Sequence, residues 1–155
     1  MRTRVALLGL ALLVGSVAAL AADPNVGTWT LNTAKSKFSP GHALKSGTLT
    51  IEPNGDGIKV TVHLVPAEGQ PNHIEYAAKY DGKDYPQTGN PAADMVSVKK
   101  INANTIESTN KKGGKAILVN RSTVSADGKT RTTVQKGKNE KGQDVNNTLV
   151  FDRTK

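Results

Sequence analysis

Ile58-Lys59-Val60-Thr61-Val62-His63-Leu64 alternates apolar and polar side chains from end to end, which is the period of a strand with one buried face. The same alternation continues outward on both sides. Leu49 and Ile51 alternate with Thr48, Thr50 and Glu52. Ile74, Tyr76, Ala78 and Tyr80 share one face opposite His73, Glu75 and Lys79. Val96 and Val98 alternate with Ser97 and Lys99, and Val145, Leu149 and Phe151 fall on one face with Asn147. Aromatics make up only 4% of the 155 residues, and the share of Leu, Ile, Val and Phe after residue 21 is low enough to raise the question of disorder. Disorder does not keep such alternation through separate segments, so the chain reads as folded and all-β.

Turn residues punctuate these segments at nearly regular intervals. Gly55-Asp56-Gly57, Asp81-Gly82-Lys83, Gly113-Gly114, Asp127-Gly128-Lys129 and Lys141-Gly142 are examples, and Asp-Gly and Gly-Gly supply the positive φ that tight hairpins demand. All seven prolines lie between Pro24 and Pro91, which leaves the later strands free of a residue that removes a ladder bond. Strands are predicted at 27–32, 46–53, 57–65, 72–80, 83–87, 94–100, 104–111, 115–125, 129–137 and 143–153. The segment 33–46 has room for a turn or two of helix, which Ser39-Pro40-Gly41 breaks. So many short strands curl rather than stay in one open sheet. The predicted architecture is an antiparallel up-and-down β-barrel of about 8–10 strands, which removes exposed edges; a two-sheet sandwich is the alternative.

The N-terminus reads as a leader. Arg2 and Arg4 precede an apolar run from Val5 to Val14 interrupted only by Gly9, and Ala19-Leu20-Ala21 offers a small-x-small cleavage site. The run is short for a bilayer span. Residues 1–21 are therefore expected to be a Sec-type signal peptide and 22–155 a single domain, periplasmic or secreted and monomeric. Thr3 separates the two arginines, so a twin-arginine signal is not supported. The chain has no cysteine, which excludes disulfides, a lipidated cysteine anchor, thiolate zinc sites, iron–sulfur clusters and covalent haem.

At Gly27-Thr28-Trp29-Thr30-Leu31 the chain resembles the calycin barrels, the lipocalins and fatty-acid-binding proteins. The tail Asn147-Thr148-Leu149-Val150-Phe151-Asp152-Arg153 is similar to the last strand of a fatty-acid-binding protein, and Asp127-Gly128-Lys129-Thr130 to their late hairpin. The run from Gly27 to Phe38 and Tyr80-Asp81-Gly82-Lys83-Asp84-Tyr85-Pro86 resemble small exported bacterial lipocalin-like proteins. The resemblance implies that Trp29 plugs the barrel floor. It also implies that Arg153 lies across the indole, the alternative being an ordinary terminal arginine. Two features depart from the family. The segment after the first strand is too short for a pair of lid helices. The positions matching an inward Arg-x-Tyr pair are Leu149 and Phe151, so the donors that would hold a carboxylate there are missing.

The expected inward face is therefore Ile58, Val60, Val62, Leu64, Ile74, Tyr76, Val98, Leu149 and Phe151, with no buried cation among them. Such a lining implies a non-enzymatic barrel that binds a small, mainly neutral apolar molecule. The tyrosines Tyr76, Tyr80 and Tyr85 pack across one hairpin, with hydroxyls that can serve as polar anchors near a pocket mouth. His42, His63 and His73 lack the short spacing of a metal site and read as solvated. No nucleophile elbow, His-Glu-x-x-His or phosphate loop is present; Asp81 and Asp84 read as charged turn residues. No cofactor and no catalytic residue are predicted. The formal charge is +8, densest at Lys99-Lys100 and Lys111-Lys112-Lys115, with Arg121, Lys129 and Arg131 nearby in sequence. These residues are read as a solvated outer face. The competing reading is a filled barrel whose basic surface binds anionic envelope polymers. Nucleic-acid binding is disfavoured by export and by the lack of interleaved surface aromatics.

Overall fold

The computed structural model describes residues 22–139 and 141–155; the proposed signal peptide lies outside them. Ten strands follow in chain order: β1 (Gly27–Leu31), β2 (Leu44–Asn54), β3 (Gly57–Pro66), β4 (Asn72–Lys79), β5 (Asp81–Thr88), β6 (Met95–Lys100), β7 (Thr105–Lys112), β8 (Lys115–Val124), β9 (Thr130–Lys138) and β10 (Asp144–Arg153). Each pairs antiparallel with its sequence neighbour, and β1 also pairs with β10, so the sheet closes on itself. The fold is an all-β, up-and-down barrel, not a sandwich. No helix occurs among the described residues. Residues 33–43 between β1 and β2 instead run alongside β10, where Lys37 bridges to Thr148 and the Ser39 amide donates to Asn147 Oδ1.

Register explains which residues meet inside. Ile51 lies opposite Val60, and Val60 opposite Tyr76. Leu49 lies opposite Val62, and Val62 opposite Ile74. Because strand side chains alternate sides, every residue in such a rung faces the same way. Trp29, Ile51, Ile58 and Val60 are at most 2% exposed and share a core cluster with Leu31, Val124, Leu149 and Phe151. A second cluster joins Ala78, Val96, Val98 and Ile106.

One end of the barrel is shut by Trp29. Its Nε1 donates to the Asn25 carbonyl at 3.1 Å, and the Arg153 guanidinium lies 4.1 Å from the ring centre. Arg153 also donates to three backbone carbonyls, from Nε to Gly128, Nη1 to Val26 and Nη2 to Pro24, at 2.6–2.7 Å. This one side chain ties the entry segment to the β8–β9 turn across the indole. Gly27 has φ +140°, and a Cβ there would collide with that same guanidinium, so only glycine leaves the clamp its room.

Candidate functional site

Above the Trp29 floor lies a chamber of about 130 Å³ that opens into a wider vestibule of about 890 Å³ at the other end of the barrel. The two spaces share Leu64, Ile74, Asn90, Asn110, Gln135 and Leu149 at their junction. Ile51, Ile58 and Phe151 border only the inner chamber and cluster with Trp29, and Arg131, which also lines it, stands beside the indole, so these four mark its deep end. The vestibule rim carries His42, Glu68, Lys138 and Lys141.

Eight of the expected lining residues border this chamber: Ile58, Val60, Val62, Leu64, Ile74, Tyr76, Leu149 and Phe151. Val98 does not. It is fully buried and packs with Ala78, Val96 and Ile106 instead, so its side chain is spent on the wall. Tyr76 lines the chamber, and burial pushes its hydroxyl pKa up to about 12, against an opposing pull from Arg131. The other two tyrosines belong elsewhere. Tyr85 donates to Asp81 at 2.9 Å in an exposed position. Tyr80 donates to Asp23 at 2.7 Å, beside the floor rather than the mouth.

The wall formed by β7, β8 and β9 overturns the expectation of an apolar lining without a cation. One rung runs Asn147, Gln135, Asn120, Ser108 across four strands, and these side chains hydrogen-bond in series. Asn147 donates to Gln135 at 3.1 Å, Gln135 to Asn120 at 3.0 Å and Asn120 to Ser108 at 3.3 Å. The rung below pairs Ser122 with Thr133 at 2.8 Å. Buried amides and hydroxyls are tolerated because each serves as another's partner.

Arg131 ends this wall. It is 4% exposed and stands opposite Phe151 and Val124, both inward, so alternation carries it into the barrel rather than onto the basic outer face. Its Nη1 donates to Asn25 Oδ1 at 2.8 Å, and its guanidinium carbon lies 6.0 Å from the Trp29 ring centre. Its Nε is buried without a hydrogen-bond partner. Among the described residues no carboxylate comes within ion-pair distance of it. Burial pushes its pKa down to about 10, with Tyr76, Tyr80 and Asp23 opposing, which leaves it charged at neutral pH. Asp23, the nearest acid in this network, is already engaged. Its Oδ1 accepts from the backbone and side chain of Asn25, and its Oδ2 from Tyr80 and Lys100. Burial raises the Asp23 pKa, but these bonds outweigh it and hold the carboxyl below its usual range.

Outside the barrel, register brings His63 opposite His73, which linear spacing did not reveal. Their ring nitrogens approach to 3.0 Å, and His73 Nε2 lies 3.1 Å from Glu75 Oε1, all solvent-exposed. No cluster of three or more side chains fit to hold a metal ion occurs among the described residues. The densest basic points are largely answered by acids. Lys100 meets Asp23 at 3.0 Å, Lys111 meets Asp84 at 2.6 Å and Lys112 meets Asp94 at 4.0 Å. No helix among the described residues is long and apolar enough to cross a membrane.

The closed antiparallel barrel with its tryptophan floor is compatible with a calycin-type fold. No protein-family model matches this chain, and neither does any curated protein.

Proposed function

We propose that this protein is an exported, non-enzymatic barrel that binds a small, mainly apolar molecule in its chamber. The observation that carries this reading is a chamber that continues into the vestibule at one end and is walled on one side by Leu49, Ile51, Ile58, Val60, Val62 and Ile74. An apolar ligand entering such a site gains roughly 25 cal/mol for each Å² it removes from water. The competing reading needed a filled interior and a free basic face. It is weakened by the chamber and by the acids set against Lys100, Lys111 and Lys112.

Titration of the protein with N-phenyl-1-naphthylamine, a neutral lipophilic dye that brightens in apolar surroundings, tests the reading. One saturable site with little salt dependence is expected, because no exposed charge takes part. An absence of saturable brightening, with salt-sensitive retention on an anionic polymer, overturns it in favour of the surface reading. Export is tested separately: expression in a bacterial host should yield a periplasmic product whose mass corresponds to cleavage after Ala21.

A further inference from the structure

We infer that the deep end of the chamber is a subsite for an acid, and that the ligand enters head first with its carboxylate against Arg131. This rests on the proposal that the barrel binds a small, mainly apolar molecule, and adds the chemistry of that molecule's polar end.

A guanidinium out of water is unfavourable unless it is both hydrogen-bonded and matched in charge. Here the first condition is met only in part and the second not at all. One nitrogen is held by the neutral carboxamide of Asn25, while Nε has no partner. The available acid cannot move to help, since Asp23 is saturated by Asn25, Tyr80 and Lys100. The other charged or ionisable groups that bear on Arg131 are Tyr76, Tyr80 and Arg153. The tyrosines are neutral near pH 7, and Arg153 adds to the positive field. The surrounding polar side chains are occupied with one another: Ser122 with Thr133, Gln135 with Asn120. What is missing from the site is an acceptor with negative charge.

A carboxylate supplies both. Its oxygens accept charge-assisted hydrogen bonds from a planar fork of donors, and its charge cancels the one already buried. The deep end also contains Ile51, Ile58 and Phe151, so the carbon adjoining the head group meets apolar surface at once. The tail then follows the apolar strands toward the vestibule. This orientation reverses the preference for neutral ligands that the apolar strands alone imply.

Decanoate and decanol, which share a tail and differ in head group, are the probes. Each is titrated into the protein by competition with the neutral dye and by following the fluorescence of Trp29. Near neutral pH decanoate should bind about tenfold more tightly than decanol, the scale of one charged hydrogen bond. Below about pH 4 the ligand carboxyl is protonated and the preference should shrink toward parity. Arg131→Met should collapse the ratio while the ligand-free protein melts no lower than the parent, because an unmatched buried charge has been replaced by an apolar side chain. Were Arg131→Met not to fold, the pH series on the unaltered protein decides by itself. Equal or tighter binding of decanol near neutral pH overturns the acid subsite and leaves the apolar-ligand reading standing. So does an undiminished preference in a folded Arg131→Met protein. Failure of both probes, and of the dye, removes the apolar-ligand reading itself.

Discussion

On β2, β3 and β4 the positions that line the chamber are Leu49, Ile51, Ile58, Val60, Val62, Leu64, Ile74 and Tyr76. On β7, β8 and β9 they are Ile106, Ser108, Asn110, Asn120, Ser122, Arg131, Thr133 and Gln135. Both walls are antiparallel ladders with the same two-residue period. The first holds together because its side chains leave water, and its contacts are non-directional. The second holds together because its polar groups, Arg131 Nε apart, find specific partners, a condition that depends on register. A one-residue slip would move either set to the outside, but only the polar wall would also lose a matched chain of donors and acceptors. The difference teaches that a barrel interior need not be apolar to be ordered, and that its one unmatched group is the informative one.

The largest effect expected from this comparison falls on the apolar wall. Ile58 is 2% exposed within the main cluster, so Ile58→Ala should cost about 2–5 kcal/mol through lost transfer energy and a residual cavity. Urea unfolding checks this. A loss below about 1 kcal/mol would mean that the chamber already behaves as a cavity the wall can relax into.

Single and paired changes on the polar wall should behave differently. Asn120→Ala strands Gln135 and Ser108 at once and should cost about 1–3 kcal/mol. Ser122→Ala together with Thr133→Val removes both members of one hydrogen bond and should change stability by less than about 1 kcal/mol. Equal costs for the two would erase the distinction drawn between matched and unmatched polar groups.

The smallest effect concerns the floor beneath both walls. Asp23 has a depressed pKa in the folded protein, so its contribution is present above its unfolded pKa and is lost as pH falls through the folded value. Asp23→Asn should therefore lower the melting temperature at neutral pH. The gap from the parent should close as pH drops below about 3.9. A gap independent of pH would assign the loss to packing rather than to the carboxylate.

Much of this was legible beforehand. The ten strands fall within a few residues of their predicted bounds, because turn residues and alternation are local signals. Eight of nine expected chamber residues were found from the same alternation. Arg131 was missed because β9, Thr-Arg-Thr-Thr-Val-Gln-Lys-Gly-Lys, has a single apolar residue, Val134, and that residue marks the wrong side. Placing β9 beside β10 would have exposed it: Arg131, Thr133 and Gln135 stand opposite Phe151, Leu149 and Asn147. The His63–His73 contact was hidden for a related reason, since the residues meet across a hairpin rather than along one strand.

By itself, then, the chain of side chains determined the number of strands and their antiparallel order, since turn chemistry and the strand period act over a few neighbouring residues; the tryptophan floor was implied by the resemblance to calycin barrels. Closure of the barrel, the polar belt and the lone guanidinium above Trp29 were decided only in three dimensions. Each depends on which residues of separate strands come into register, and hydrogen bonds and burial are properties of those partners together.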